Sequence, residues 1–376
     1  MRIGIDASPI LKQRAGVGSY VYHLIDQLSL LDRENQYVLF YCHHSDVKDR
    51  IMKPENPNFE SKTVRFPTKI MKMLWASIRL PKVDWFVGKV DLYHSTAFYL
   101  NPTSSGKSLL TIFDLNFLAL RKFTLWSGRW HYAIKMKDYA KRCDGIITVS
   151  ESSKEEIVRL LEVPPEKVVV TYGGYSEKFR PQGDGQDRET VMKKYRIGGD
   201  FILYVGTLEP RKNLKGLIEA YARSRAKEDF LLVLAGGTGW NYKHIFRLVE
   251  QLSLRDRVIF CGYVPEPDLP ALYRGASLFA YPSFYEGFGL PPLEAMACGT
   301  PVVVSDTTSL PEVVGDAGIY VDPLDIEQIA ASIDTVLSDS QLARTLRQRG
   351  LERAKLFSWE RTAKETLELY LKIARQ

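Results

Sequence analysis

Cysteine is scarce in this chain of 376 residues. Its four cysteines, Cys42, Cys143, Cys261 and Cys298, form no Cys-x-x-Cys pair, so the sequence indicates neither a disulfide framework nor a structural zinc site. Long apolar runs are missing too, because no stretch of about 18 uncharged apolar residues occurs. The N-terminus begins with a strand pattern instead of a basic segment followed by an apolar one. We therefore expect a cytoplasmic protein with buried free thiols.

Several catalytic motifs are also absent. The pair Gly16 and Gly18 lacks the third glycine of the dinucleotide fingerprint, and neither the Walker pattern nor Gly-x-Ser-x-Gly occurs. The histidines show no metal-ligand spacing such as His-Glu-x-x-His. Hydride transfer, P-loop ATP hydrolysis and serine esterase chemistry therefore have little support, and we expect neither a bound metal nor a cofactor.

Short apolar, β-branched runs alternate with helical stretches, which is typical of doubly wound parallel sheets. The predicted strands cover residues 2–6, 37–41, 91–94, 109–113, 145–149, 168–172, 201–205, 230–235, 258–261, 278–281, 302–305 and 318–321. A polar, glycine-rich stretch near residue 185 separates two such sets. We predict two Rossmann-like α/β domains, over 1–180 and 191–357, joined by a linker over 181–190. A C-terminal helix over 358–376 is expected to cross back to the first domain.

The net charge of +6 comes from the first half of the chain. Its basic residues concentrate between residues 62 and 142, interleaved with aromatic residues: Trp75, Trp85, Phe123, Trp126 and Trp130. Such a stretch attracts an anionic membrane surface, a phosphorylated acceptor or nucleic acid. A solvated surface with aromatic residues in the core beneath it explains the same composition.

Two carboxylates, Glu286 and Glu294, flank a glycine-rich turn that leads into a predicted helix. Gly287 and Gly289 let the main chain approach a ligand closely, and prolines at 291 and 292 suit the first helical turn. Such a helix start favours a diphosphate or sugar oxygens. The same residues also suit an ordinary strand, turn and helix with both glutamates in solvent.

Further candidates lie at the ends of predicted strands, where parallel sheets bind ligands. Arg211 and Lys212 follow the strand and turn at Gly206, so we expect two cations and a helix start to face a diphosphate. Gly236 follows the next strand. In the first half, Gly16-Val17-Gly18 follows the first strand, and His94 ends another. A lone histidine is more often structural than functional.

These motifs resemble a known family. The run Glu286-Gly-Phe-Gly-Leu-Pro-Pro-Leu-Glu294, after Tyr281-Pro-Ser and before Leu310-Pro-Glu, is similar to the signature of retaining glycosyltransferases of family 4, also called group 1. The resemblance covers nearly the whole chain and also includes Gly16-Val-Gly-Ser-Tyr20 and Tyr204-Val-Gly-Thr-Leu-Glu-Pro-Arg-Lys-Asn213. It implies the GT-B fold, in which two Rossmann-like domains face each other across a cleft.

The resemblance also implies roles for individual residues. Glu294 would hold ribose hydroxyls, Glu286 the donor sugar, and Lys212, assisted by Arg211, the diphosphate. The implied donor-binding residues also include Gly206, Thr207, Gly236, Gly287, Phe288, Gly289 and Leu290. The implied wall against phosphate and acceptor comprises Gly16, Val17, Gly18, His94 and Asp114.

The chain departs from the family pattern at two positions. Thr207 stands where members often have an arginine that contacts phosphate, so Arg211 is expected to supply the guanidinium. Phe113, before Asp114, stands where members often have a histidine that touches the donor sugar. We expect Phe113 to favour a sugar with a less polar edge at that position.

The resemblance implies a retaining, metal-independent hexosyltransferase of surface polysaccharide synthesis, similar to bacterial mannosyltransferases. Its donor would be a nucleotide sugar such as GDP-mannose, and its acceptor a glycan or lipid-linked glycan at the inner face of the membrane. Nucleic acid is not an expected partner. Two alternatives stay open at this point: a non-catalytic nucleotide-sugar-binding protein, and a sugar-nucleotide epimerase of the same architecture.

Overall fold

The computed structural model describes residues 1–11, 16–119, 126–183 and 185–375. It divides into two units, one of Met1–Gly174 with Ser358–Gln376 and one of Tyr175–Phe357. The domain limits expected from the sequence stay a prediction. Residues Gly185–Lys194 form helix α7, so part of the stretch expected as a linker is helical.

The first unit contains a parallel sheet of seven strands in the order β3-β2-β1-β4-β5-β6-β7. Its strands are β1 Arg2–Asp6, β2 Gln36–His43, β3 Phe59–Arg65, β4 Leu92–Ser95, β5 Lys107–Thr111, β6 Gly145–Thr148 and β7 Val168–Val170. Its helices are α1 Val17–Leu31, α2 Thr68–Ser77, α3 Asp84–Val87, α4 Asn116–Ala119, α5 Trp126–Arg142, α6 Glu151–Leu161 and α15 Trp359–Ala374.

The apolar pattern of the strands explains how this sheet is buried. In β2 the residues from Tyr37 to Cys42 are all buried, as expected where helices cover both faces of a parallel sheet. Ser358 caps α15 by accepting a hydrogen bond from the amide of Arg361 at 3.1 Å. The buried face of α15 includes Tyr370, and the helix packs along α1 and against β4. The C-terminal helix is therefore part of the core of the first unit.

The second unit contains a parallel sheet of six strands in the order β10-β9-β8-β11-β12-β13. Its strands are β8 Phe201–Val205, β9 Leu231–Ala235, β10 Val258–Gly262, β11 Leu278–Tyr281, β12 Val302–Ser305 and β13 Gly318–Val321. Its helices are α7 Gly185–Lys194, α8 Leu214–Arg223, α9 Lys243–Gln251, α10 Leu269–Gly275, α11 Leu290–Ala297, α12 Leu310–Val314, α13 Ile326–Ser338 and α14 Ser340–Ala354.

The strand order places a topological switch point in the middle of each sheet. In the second unit it lies between β8 and β11, because the chain runs outward from β8 in one direction and resumes at β11 on the other side. Ligands of open α/β sheets bind beyond the carboxyl ends of the strands at such a point. The turns after Val205 and Tyr281 are therefore neighbours, and they carry the cations and the carboxylate identified from the sequence.

Candidate active site

The turn after β8 depends on glycine for close packing of the main chain. A Cβ at Gly206 would lie 2.6 Å from the hydroxyl of Tyr204, and a Cβ at Gly236 would lie 1.9 Å from the carbonyl oxygen of Gly206. Both glycines were predicted to bind the donor. The structure gives each of them a packing reason, because a side chain at Gly206 would displace the ring of Tyr204, and one at Gly236 would push the two strand ends apart.

Arg211 and Lys212 lie in a 3₁₀ turn, Pro210–Lys212, and not in the first turn of an α-helix as expected. Helix α8 begins later, at Leu214, and Asn213 caps it by accepting a hydrogen bond from the amide of Gly216 at 3.2 Å. This hydrogen bond occupies an amide at the start of the helix that we had expected to bind a diphosphate. The two cations lie one turn ahead of the helix and face Glu286 instead.

Glu286 lies at the centre of a buried charge cluster. The ammonium of Lys212 donates to both carboxylate oxygens, at 2.7 Å and 2.8 Å, and to the hydroxyl of Tyr281 at 2.7 Å. Nη1 of Arg211 donates to Glu286 at 3.1 Å and to the carbonyl oxygen of Tyr285 at 2.6 Å. The guanidinium of Arg211 also pairs with Glu209 at 2.8 Å. Two cations therefore share one buried carboxylate, and the aromatic hydroxyl completes the shell of Lys212.

The cluster fixes the protonation state of Glu286. Burial alone would raise the pKa of this carboxyl, but the charges of Lys212 and Arg211 and the hydrogen bond from Lys212 outweigh burial and hold its pKa at about 2. Burial also lowers the pKa of Lys212, an effect that the attraction of Glu286 opposes. Glu286 is consequently a carboxylate throughout the neutral range, able to accept hydrogen bonds from sugar hydroxyls.

The turn from Glu286 into α11 carries the other predicted donor-binding residues. Gly289 precedes α11 with φ of +114°, and a Cβ there would lie 2.8 Å from the side chain of Leu310. The ring of Phe288 is buried and packs edge-on against Phe357, with ring centroids 5.8 Å apart. Gly287 is buried and Leu290 is half-buried. Phe288 therefore anchors the turn by its ring, so only its main chain is suited to a ligand.

Glu294 has the opposite electrostatic character. It lies in α11, and one of its carboxylate oxygens accepts a hydrogen bond from Tyr273 at 2.9 Å. Burial raises the pKa of Glu294 to about 8, and the charge of Glu266 adds to this rise while the hydrogen bond from Tyr273 opposes it. The ligand-free side chain is therefore mostly protonated at neutral pH, and donors such as paired hydroxyls would favour its ionised form.

In the first unit, the predicted glycine wall lies at the start of α1. Gly16 is exposed with φ of +53° and precedes the first helical residue, Val17, while Gly18 is buried inside the first turn. Residues 12–15, immediately before this turn, lie outside the described residues. The positive φ explains the glycine at 16, and the role of the turn toward phosphate and acceptor stays a prediction.

His94 is not on a ligand wall, which corrects the prediction made for it. Its side chain is 0% exposed, with Nδ1 2.7 Å from the hydroxyl of Tyr370 and Nε2 2.6 Å from that of Thr111. Burial lowers the pKa of His94 to about 3, so the ring is neutral. The histidine joins β4 to β5 and to the C-terminal helix, and it has no face left for a ligand.

Two neighbouring candidates of the first unit have local structural roles. Asp114 accepts a hydrogen bond from the amide of Asn116 at 3.1 Å, which shapes the turn into α4. Phe113 is buried and packs edge-on against Tyr20, with ring centroids 5.1 Å apart. The proposed influence of Phe113 on donor choice therefore stays a prediction.

The two described aromatic residues of the basic stretch, Trp75 and Trp85, do not share one surface. Trp75 is buried and donates a hydrogen bond to the carbonyl oxygen of Pro81 at 2.8 Å, so it belongs to the core. Trp85 is 67% exposed. Phe123 and the side chains of Trp126 and Trp130 lie outside what the structure describes.

Among the described residues, no group of three or more His, Cys, Asp or Glu could hold a metal ion. Metal independence stays a prediction.

Sequence reasoning missed several residues that shape this site. Tyr281 and Tyr273 are the hydroxyl partners of Lys212 and Glu294, and Thr308 and Ser309 bond the main chain of the Glu286 turn. For Tyr281, the available signals are its position at the end of a strand next to the switch point and its place in the Tyr281-Pro-Ser segment of the family signature. No spacing rule links residues 308 and 309 to Glu286, because the contact depends on tertiary structure.

Comparisons with known proteins give the class to which this fold and this site belong. The family model "Glycosyl transferases group 1" matches residues 187–353, and "Glycosyltransferase Family 4" matches residues 14–178. The chain is 34% identical to the "O-antigen chain mannosyltransferase B" of Escherichia coli, over 98% of this chain and 99% of that protein. The chain belongs to the family 4, group 1 glycosyltransferases, which confirms the resemblance seen in the sequence.

Solved structures confirm the fold. The sucrose-phosphate synthase of Thermosynechococcus elongatus superposes with a TM-score of 0.83 at 22% identity, covering 99% of both chains. Anabaena HepE in complex with UDP-glucose superposes with a TM-score of 0.77 at 20% identity, again over 99% of both chains. These likenesses establish the GT-B fold. In the described part of the chain, no helix is both long and apolar enough to cross a membrane.

Proposed function

We propose that this glycosyltransferase moves a hexose, mannose, from GDP-mannose to a lipid-linked glycan with retention at the anomeric carbon. The observation that carries the proposal is the cluster of Arg211, Lys212 and Glu286 in the same unit as Glu294. The cluster would supply two cations for a diphosphate and an ionised carboxylate for sugar hydroxyls. Glu294 would supply a second carboxyl, for a ribose. The similarity to an O-antigen mannosyltransferase supports mannose as the sugar and a surface polysaccharide as the product.

Each residue has a distinct task in this mechanism. Glu294, once ionised, accepts hydrogen bonds from the two ribose hydroxyls. Lys212 and Arg211 share their charge between Glu286 and the diphosphate, and so stabilise the departing nucleotide as its bond to the sugar breaks, a task that a metal ion performs in other enzymes. Glu286 orients the hexose. The acceptor hydroxyl bonds to the anomeric carbon on the face from which the diphosphate departs and gives its proton to that diphosphate, so the anomeric configuration is retained.

The nucleotide is the first part of the proposal to test. Thermal unfolding with GDP, UDP and ADP should show the largest rise in melting temperature with GDP, because a ligand of the native state stabilises it by mass action.

A second experiment tests transfer itself. Incubation with GDP-mannose should release GDP only when an acceptor glycan is present, and NMR of the product should show an α-linkage. An epimerised donor formed without acceptor, or donor binding without GDP release for any acceptor, would contradict transfer.

We further propose that the first unit binds an anionic membrane surface. Ile70 and Met73 lie on one face of α2, and Met73 is 63% exposed. Ile78 and Trp85 are also exposed nearby in sequence, and exposed Lys69 adds positive charge. Apolar side chains beside cations suit the interface of an anionic bilayer, where a lipid-linked acceptor would lie.

Sedimentation with vesicles tests this surface. The wild-type chain should sediment with phosphatidylglycerol vesicles at low salt and much less with phosphatidylcholine vesicles or at high salt. Met73→Asp should reduce sedimentation, and Leu324→Asp, which changes an exposed leucine of the second unit, should not. Absence of binding at low salt would contradict the proposal.

A further inference from the structure

The main chain of Glu286 is held on both sides by hydroxyl groups of one loop. The amide of Glu286 donates to Oγ1 of Thr308 at 3.0 Å. Oγ of Ser309 lies 3.0 Å from the carbonyl oxygen of Glu286 and 2.7 Å from that of Phe288, to which it donates. Residues 306–309, which follow β12, therefore fix the peptide groups on either side of the carboxylate that binds Lys212.

Thr308 makes this contact in an unusual backbone conformation. Its φ is +54°, in the left-handed region that β-branched residues rarely adopt. The chain on both sides of Thr308 is held by hydrogen bonds. Oγ of Ser305 donates to the carbonyl oxygen of Ser283 at 2.5 Å, and the amide of Leu310 donates to the carbonyl oxygen of Thr307 at 3.3 Å. Strained conformations of this kind persist where surrounding structure imposes them, and they are concentrated at functional sites.

We propose that Thr308 is a positioning residue, held in a left-handed conformation so that its hydroxyl sets the peptide group, and hence the carboxylate, of Glu286 toward the donor sugar. Glycine would adopt this φ with less strain, but it has no hydroxyl to accept from the amide of Glu286. The presence of threonine at a position where glycine suits the backbone indicates that the hydroxyl is what the site requires. The link to the sugar rests on the proposed function, whereas the contact with the amide does not.

Three substitutions separate the hydroxyl from the backbone. Thr308→Ser keeps the hydroxyl, Thr308→Val keeps the branched shape without it, and Thr308→Gly relieves the backbone strain and also removes the hydroxyl. Thr345→Val is the matched control, because Thr345 is half-buried in α14 and its hydroxyl donates only to the carbonyl oxygen of Gln341 at 2.9 Å among the contacts described. If the valine variant fails to fold, the glycine variant still tests the proposal.

Hydrogen exchange tests the contact without any assumption about activity. The amide of Glu286 should exchange faster in the glycine and valine variants than in wild type, and at the wild-type rate in the serine and Thr345→Val variants. Unchanged exchange in both the glycine and valine variants would overturn the proposed contact.

Binding tests the consequence for the sugar. The ratio of affinities for GDP-mannose and GDP should fall about fivefold in the glycine and valine variants, as expected for one lost hydrogen bond, while GDP affinity stays within twofold. The serine variant should retain the wild-type ratio. If Thr308 has a merely structural role, the affinity ratio should change only as far as the melting temperature changes. The proposal would be overturned by a wild-type affinity ratio in the glycine variant, or by an equal loss of affinity for GDP-mannose and for GDP. A shifted ratio in a chain that transfers no hexose would contradict the proposed function alone.

Discussion

In the second unit, the two strands at the switch point end in turns that bring Lys212 and Glu286 within 2.7 Å of each other. In the first unit, the equivalent strands β1 and β4 end at Asp6 and Ser95. His94, the residue before Ser95, is buried against Tyr370. The two sheets have the same kind of switch point, but only in the second do the predicted charged side chains meet there. A side chain in the turn after a strand lies beyond the edge of the sheet, whereas a side chain within a strand can face the core.

The buried titratable groups of the two units differ in the same way. Glu294 of the second unit has a pKa raised to about 8, and His94 of the first has a pKa lowered to about 3, both chiefly by burial. Burial thus keeps each group neutral in the ligand-free chain. A group that meets a ligand should change its charge on binding, whereas a group that holds the core together should not.

The largest expected effect is on the charge cluster. Lys212→Met should reduce transfer about 10²–10³-fold, since it removes one of the two cations proposed to stabilise the leaving diphosphate. It should also raise the pKa of Glu286 from about 2, because Arg211 alone then opposes burial. The control is Lys215→Met, because Lys215 is 63% exposed in α8 and pairs only loosely with Glu219, at 3.7 Å. Steady-state kinetics of both variants check the prediction, and equal effects would contradict a specific role for Lys212.

A smaller effect concerns the pH dependence of donor binding. If ribose hydroxyls require the carboxylate form of Glu294, GDP-mannose affinity should rise by up to about tenfold per pH unit below its pKa of about 8. Ligand-free stability should change in the other direction: the raised pKa makes the protonated form favourable in the folded state, so stability falls as pH rises from 4.5 to about 8. Calorimetric titrations should show the affinity slope in wild type and a flat profile in Glu294→Gln. A slope retained in the variant would assign the titration to another group.

The smallest effect on activity is expected at His94. The pKa of His94 in the folded chain lies below the ordinary value of 6.5. The contribution of His94 to stability is therefore fully present above pH 6.5 and is lost as the pH falls toward 3. Between pH 7.5 and pH 5 the free energy of unfolding should fall by about 2 kcal/mol more in wild type than in His94→Gln, because the unfolded wild-type chain gains a proton. Denaturant unfolding measures this difference. GDP-mannose affinity of the folded variant should equal that of wild type, and a lost affinity would return His94 to the ligand site.

Apolar periodicity predicted twelve of the thirteen strands found in the described ranges, five of them with the same limits as in the structure. It missed β3, Phe59–Arg65, because this edge strand is mostly exposed and has little apolar signal. The motifs singled out Arg211, Lys212 and Glu286, and the structure brings these side chains together because turns after neighbouring parallel strands lie side by side. It could not assign His94, whose surroundings depend on a helix 276 residues later, nor Thr308, whose role depends on a turn 22 residues earlier in the chain.

The division of labour between the two glutamates is tested most directly by comparing Glu294→Ala with Glu286→Ala in one assay of kcat and GDP-mannose dissociation constant. Glu294→Ala should chiefly weaken donor binding, and Glu286→Ala should chiefly lower turnover, because only the second carboxylate lies in the charge cluster that would act on the sugar and leaving group. Identical kinetic defects in the two variants would contradict this division.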